Sequence, residues 1–222
     1  MRLFSFFHKK LTCIAVGGWL LHSLIFFTSQ SLPLRWSVCT PLDEIIPFCD
    51  WFVIPYCLWF FLFAGTAVFF LHIAVKSPVF EREAAQYIFF VLTSCAASLV
   101  CFLLVPNGVP FRPAIEELDL SRPLSRIAAL LFTADHARNV FPSLHCLIQL
   151  VCSAALLRST YFSRKQKTVL WIVLPVFTVA VFLSTVFIRQ HSVLDILGAV
   201  LFGAVLYILT YKVPWKWLRE RA

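Results

Sequence analysis

The sequence predicts an all-α polytopic membrane protein, a six-transmembrane-helix bundle, on three observations. Of its 222 residues, 60% are hydrophobic, and the mean hydropathy of +0.85 lies far above the soluble range. Six apolar runs approach or reach the roughly 20 residues that a helix needs to cross a bilayer. The basic residues gather in alternate loops between those runs, as they do in membrane proteins.

The first run spans about Leu11 to Thr28 and follows a basic start, Met1 to Lys10. That order also suits a signal peptide, but no small-residue cleavage site follows it, so a retained first helix is expected. The second run extends from about Trp51 to Val75, the third from Gln86 to Val105, and the fourth, the shortest, from Pro142 to Leu157. The fifth extends from Thr168 to Ile188 and the sixth from His191 to Tyr211. Together they form one membrane domain over residues 1–222, interrupted by a long loop, 106–141, that holds four arginines and the apolar piece Ile127 to Phe132. Long ordered loops in compact proteins tend to be functional.

Six spans put loops on alternating sides. Of the 19 Lys and Arg residues, Arg35, Arg112, Arg122, Arg126, Arg138 and Arg189 fall on one side and the remaining thirteen on the other. The richer side is cytoplasmic by the positive-inside rule, so both termini lie inside, and Trp215 and Trp217 suit an inner aromatic belt. The net charge of +8 then reflects contact with anionic lipid rather than nucleic acid. Most of the eight cysteines sit within apolar runs (Cys13, Cys57, Cys95, Cys101, Cys152), where a free thiol acts as a small hydrophobe. Cys39 and Cys49 share a polar loop, without a firm indication of a bridge. No Cys/His spacing suggests zinc and no acidic cluster suggests magnesium, so no metal or cofactor is expected. Ala199 and Gly203 give one small-xxx-small pair, which assigns no oligomeric state. The compact chain has no Asn-x-Ser/Thr acceptor and suits a bacterial plasma membrane.

Several polar residues stand where hydropathy does not want them, and the topology brings them to the outer face. His191 and Asp195 are four apart and share a helix face. A carboxylate there takes a hydrogen bond from one ring nitrogen and leaves the other free and more basic, as a nucleophilic histidine requires. Ser143 follows Pro142, at the expected first turn of the fourth helix, where proline is tolerated. Free N–H groups at a helix start bind phosphate, Ser143 adds a hydroxyl, and His145 is placed as a general acid. The plainer reading of Ser143 is an N-cap. Ionisable residues inside membrane helices mark function more often than structure.

These residues resemble the motifs of the type 2 phosphatidic acid phosphatase superfamily of integral-membrane lipid phosphatases, and within it the branch that includes inositol phosphorylceramide synthases. Its RP motif looks like Arg112-Pro113, its PSGH-type motif like Pro142-Ser143-Leu144-His145, and its third motif like Ser184-Thr185 with His191 and Asp195. Asp135 and Asn139, ahead of Phe141-Pro142-Ser143-Leu144-His145, and Gln190 before His191 fit the branch. The resemblance covers the last half of the chain by motif and the whole chain by layout. It implies His191, His145 and Asp195 as catalytic residues and a phosphate held by Arg112 and Ser143. Two family cations are missing, with Val105 where a lysine and Thr185 where an arginine usually stands. Transferred phosphoryl groups need positive charge around their oxygens. Arg189 is therefore expected as the substitute, with Arg138 as a second candidate and Arg122-Pro123 as a rival RP pair.

The expected function is metal-independent hydrolysis of a membrane lipid phosphate through a phosphohistidine, with the active site at the outer membrane face. Phosphatidate, a polyprenyl diphosphate and phosphatidylglycerol phosphate all qualify as substrate. A lipid or polyol hydroxyl in place of water would make the same site a head-group phosphotransferase. A non-catalytic lipid-binding or transport protein is the reading of another class. It lacks support from repeated halves or broken helices.

Overall fold

The computed structural model describes residues 8–215. Arg2, Lys216, Trp217, Arg219 and Arg221, which entered the orientation argument, lie outside the described residues. The described residues are mostly helical, with almost no sheet: α1 (Lys9–Ser29), α2 (Pro41–Ile45), α3 (Val53–Ile73), α4 (Pro78–Leu104), α5 (Pro123–Ala134), α6 (Leu144–Arg158), α7 (Arg164–Phe187) and α8 (Val193–Tyr211). Single 3₁₀ turns occur at Asp50–Phe52 and Ile115–Glu117.

Five of these helices, α1, α3, α4, α7 and α8, are long and apolar enough to cross a membrane. The predicted fourth span is α6, with 15 residues. At 1.5 Å per residue it is about 22 Å long, short of the roughly 30 Å hydrocarbon core. Its neighbours explain this. It packs against α3, α4, α7 and α8, and most of its residues from Cys146 to Leu156 are buried. A helix enclosed by other helices needs no lipid-matching length.

The predicted third span begins earlier than hydropathy suggests. α4 starts at Pro78 and carries Glu81, Arg82 and Glu83 through its first turns. Charge ends the apolar run but not the helix, because Ser77 caps it, accepting from the Phe80 N–H at 3.3 Å, and proline is at home in a first turn. The long loop contains α5, whose buried Ser125, Ala128 and Phe132 recur at helical spacing and form one face. That face packs on α3 and on the Asp50–Phe52 turn. Arg122, the rival RP arginine, sits at the start of α5 and pairs with buried Asp50 at 2.9 Å, away from the other motif residues. Cys39 and Cys49 are free thiols.

One small sheet was not foreseen. Trp36–Ser37 runs parallel to Asn107–Gly108, and Gly108 bridges antiparallel to Arg138. A Cβ at Gly108 would overlap the Ala137 carbonyl, so this close approach needs glycine. The Asn107 side chain then holds the approach to α6. Its Oδ1 accepts the N–H groups of Val140 and Phe141, each at 2.8 Å. Asn139, at φ 58°, donates its N–H to the Asn107 carbonyl at 2.8 Å and its side-chain amide to Ser29 Oγ at 2.8 Å.

Candidate active site

The site is built where α7 ends and α6 and α8 begin. α7 closes in a Schellman cap: the Gln190 N–H reaches the Thr185 carbonyl at 3.0 Å and the Arg189 N–H reaches that of Val186 at 2.9 Å. This motif puts its C′ residue in the left-handed region, and Arg189 is there at φ 58°. The turn brings His191 to the start of α8, two residues before the helix rather than inside it as the hydropathy suggested. Asp195 remains its partner, with Oδ2 at 3.1 Å from His191 Nδ1. The same oxygen accepts the Ser192 N–H at 2.9 Å as half of a capping box. His191 and Asp195 are both buried.

A second carboxylate supports this helix start from far away in sequence. Asp43, buried, accepts from Ser192 Oγ at 2.6 Å and from the Val193 N–H at 2.9 Å, and from the backbone and hydroxyl of Thr40, both at 2.7 Å. Burial pushes its carboxyl pKa up, but the hydrogen bonds from Ser192, Val193 and Thr40 outweigh that and hold it below the usual range. The local Thr40-Pro41-Leu42-Asp43 capping box was readable in sequence; its grip on α8 was not.

α6 begins beside α8, tied by the Ser143 N–H to the Asp195 carbonyl at 3.1 Å. Ser143 is the N-cap, accepting from the Cys146 N–H at 3.4 Å. Pro142 therefore precedes the cap rather than opening the helix. Ser143 is wholly buried and not on the cavity wall described next, so the geometry gives it the capping role. Leu144 and His145 contribute the free N–H groups instead: neither has a backbone partner.

A cavity of about 270 Å³ opens over these elements, lined by His145, His191, Gln190, Arg112, Asp135 and Arg138 among others. The rings of His145 and His191 lie 5.7 Å apart, edge to face. His145 is boxed by Tyr56 and Trp59, each at 4.5 Å between centroids, and by Phe60 at 5.8 Å, and among the described residues neither ring nitrogen makes a hydrogen bond. Arg112 donates to the Asp135 carbonyl at 2.5 Å and stacks on Phe132 at 4.8 Å, with Nε unpartnered. Burial raises the Asp135 pKa, opposed by the charges of Arg112 and His191 and a hydrogen bond from Gln30. Among the described residues the Arg138 guanidinium gives one hydrogen bond, to the Leu32 carbonyl at 3.1 Å.

Arg189 departs from expectation. Its guanidinium holds the Phe111 carbonyl at 2.7 Å and the Ile46 carbonyl, stacks on Phe111, and is off the cavity wall. The left-handed cap turns it outward, so its role is to tie loops together. Thr185 is also structural. Fully buried, it back-bonds to the Phe182 carbonyl at 2.8 Å, and its own carbonyl receives the N–H groups of Gln190 and His191. Asn139 lines the cavity while serving the scaffold. Sequence reasoning missed Tyr56 and Trp59, hidden in an apolar run, and the full burial of the Gln190 amide with both polar atoms unpartnered. A second cavity, near Arg82, Glu83 and Arg158, has its carboxylate committed to Ser159 and Thr160 and lacks paired catalytic groups.

Fold and site define a helical membrane protein with two histidines, one carboxylate-braced, facing each other across a cavity. Residues 114–219 match the family model of the PAP2 superfamily, whose members are generally phosphatases or phosphotransferases. The matched range includes His145, His191 and Asp195 and stops two residues short of Arg112. No curated protein and no solved structure matches the chain.

Proposed function

We propose that the protein is a metal-independent lipid phosphate phosphatase acting through a phosphohistidine. The observation that carries this reading is the facing pair His145 and His191 in one cavity, with His191 Nδ1 on Asp195. With Nδ1–H donated to the carboxylate, Nε2 keeps its lone pair and attacks phosphorus. The P–O bond to the lipid alcohol breaks as His145 protonates the leaving oxygen. His145 then takes a proton from water, whose oxygen attacks phosphorus and breaks the P–N bond, releasing phosphate and free His191. Asp195 orients the ring and stabilises the charge it gains. Arg112, Arg138 and the free N–H groups of Leu144 and His145 hold the phosphate oxygens; Arg138 takes the part expected of Arg189. By the bias of basic residues the termini are cytoplasmic and the cavity faces the other side.

The aromatic box around His145 favours a second reading. It limits water near the general acid, so a lipid hydroxyl could replace water and make the enzyme a head-group phosphotransferase.

The test is inorganic phosphate release by purified protein in detergent with EDTA, from phosphatidate, undecaprenyl diphosphate and phosphatidylglycerol phosphate. Release by the parent and none by His191→Ala is expected. Equal release by the variant, or loss of release with EDTA alone, would overturn the reading. Phospholipid formation on adding diacylglycerol or ceramide, at the expense of phosphate, would mark the transferase.

A further inference from the structure

The cavity does not end at the phosphate site. It continues between α1 and α3 to His22 and Trp59. Both side chains are buried, and among the described residues neither finds a partner: Trp59 Nε1 and His22 Nδ1 are unsatisfied, and the second ring nitrogen of His22 makes no hydrogen bond either. The wall between them is aromatic and continuous. Trp59 packs on His145 at 4.5 Å and on Phe63 at 5.7 Å, Phe63 on Trp19 at 4.8 Å, and Trp19 on His22 at 5.5 Å.

Depth separates His22 from the phosphate site, and Trp59 joins the two. His22 lies seven residues before the end of α1 at Ser29, about 10 Å along the helix at 1.5 Å per residue, whereas the Trp59 ring reaches His145 itself. Phe27 and Phe60, which line the cavity, are 57% and 45% exposed, so its wall reaches the lipid-facing surface of α1 and α3. A buried donor without a partner is destabilising, and the carbonyl of a bound lipid is an acceptor suited to this cavity.

We propose that His22 and Trp59 form a second polar subsite that hydrogen-bonds an acyl carbonyl of the substrate, a few bonds from its phosphate. The subsite rests on the lipid-phosphate reading above and narrows it. The Trp59 indole can only donate, and a neutral imidazole offers one donor and one acceptor. A carbonyl oxygen accepts from either N–H group, and a diacyl lipid carries two such oxygens, while a polyprenyl chain offers nothing to them. The ester of a glycerolipid and the amide of a sphingolipid share this carbonyl, and the amide N–H would also use the acceptor nitrogen of His22.

The test compares four lipids in mixed micelles: diacyl phosphatidate, its dialkyl ether analogue without carbonyls, ceramide 1-phosphate, and undecaprenyl phosphate. The expected KM for the ether lipid is about fivefold above that of the diacyl lipid for each hydrogen bond lost. His22→Phe is expected to raise the diacyl KM about fivefold and narrow that gap to the part that Trp59 supplies. His22→Gln, which keeps a donor and an acceptor, is expected to retain most of it. Preference for ceramide 1-phosphate over the ester would assign the amide as the natural linkage. Equal KM for ester and ether in the parent, or preference for undecaprenyl phosphate, would overturn the subsite and leave the phosphatase reading intact. Release from none of the four would instead remove the phosphatase reading. Binding of the diacyl and dialkyl lipids, followed by tryptophan fluorescence, would then decide the subsite alone: equal affinity overturns it, and fivefold weaker ether binding supports it.

Discussion

Asp195→Asn separates the charge of the carboxylate from its geometry. Oδ2 accepts from His191 and Ser192, while Oδ1 is buried without a partner. An amide with its oxygen at the Oδ2 position keeps both hydrogen bonds and loses the negative charge. That charge matters when His191 bonds to phosphorus and its ring becomes cationic. At 3.1 Å and an effective dielectric near 20, the attraction is about 5 kcal/mol, little screened by salt because both groups are buried. Complete loss would slow the chemical step by between three and four powers of ten. The amide dipole keeps part of the interaction, so the expected fall in kcat is about 10²- to 10³-fold with KM nearly unchanged. Single-turnover rapid quench with ³²P-labelled lipid measures it, and a thermal melt in detergent shows whether the fold survives. A fall of less than about tenfold in a folded variant would refute the idea that Asp195 acts through its charge.

Three further outcomes follow from other parts of the structure. Arg189→Ala removes two carbonyl tethers and a ring contact, so it is expected to lower the melting temperature while kcat/KM stays within about threefold; Arg112→Ala, removing a charge from the cavity, is expected to cost about 10²-fold or more. In Gly198→Ala the new Cβ would lie 2.5 Å from Phe141 Cε2 and 2.8 Å from Cζ, which displaces the ring beside Pro142 and costs about 1–3 kcal/mol, whereas Gly65→Ala meets nothing within 4 Å and is expected to be neutral or stabilising in the same melts. Asp43 has a lowered folded pKa, so its stabilisation is fully present above the unfolded carboxyl value of about 4 and is lost as pH falls through the folded value. Asp43→Asn is expected to melt lower at pH 7 by about 1.5–3 kcal/mol, one hydrogen bond to a charged group, and to show a flatter fall between pH 5 and 3. Parallel acid limbs in parent and variant would contradict that role.

What the sequence revealed was local. The spacing of His191 and Asp195, the serine before His145 and the apolar runs are short-range patterns; the His191–Asp195 contact and the Ser143 cap follow from them, and the apolar runs mark the helices but not all of their ends. The failures came from information that is not local. Hydropathy reads exposure to lipid, so it could not tell that α6 is enclosed by protein, nor that α4 continues through charged turns. Arg189 looked like a free cation beside a catalytic histidine; the Schellman cap that turns it away depends on how α7 stops. Tyr56, Trp59 and His22 lie among 24 phenylalanines and 7 tryptophans, most of which serve only to meet lipid or pack the core. Only the meeting of α1 and α3 across the cavity distinguishes them. Asp43 and Ser192 are 149 residues apart, and no pattern in either segment announces the other.

The two helix starts at the site are electrically unequal, and this asymmetry directs an anion. Helix N-termini carry partial positive charge and exposed N–H groups. At α8 that potential is already met: Asp195 sits in the first turn and takes the Ser192 N–H, and Asp43 takes the Val193 N–H. At α6 the first turn holds no acidic residue, the Leu144 and His145 N–H groups have no backbone partner, and Arg112 and Arg138 share the same cavity. On the proposed function, a phosphate entering it would be drawn to α6 and away from the carboxylates of α8. The Ser143 N–H to Asp195 carbonyl bond joins the two helix starts, so the cap that sets His145 on α6 is coupled to the one that holds His191 just before α8.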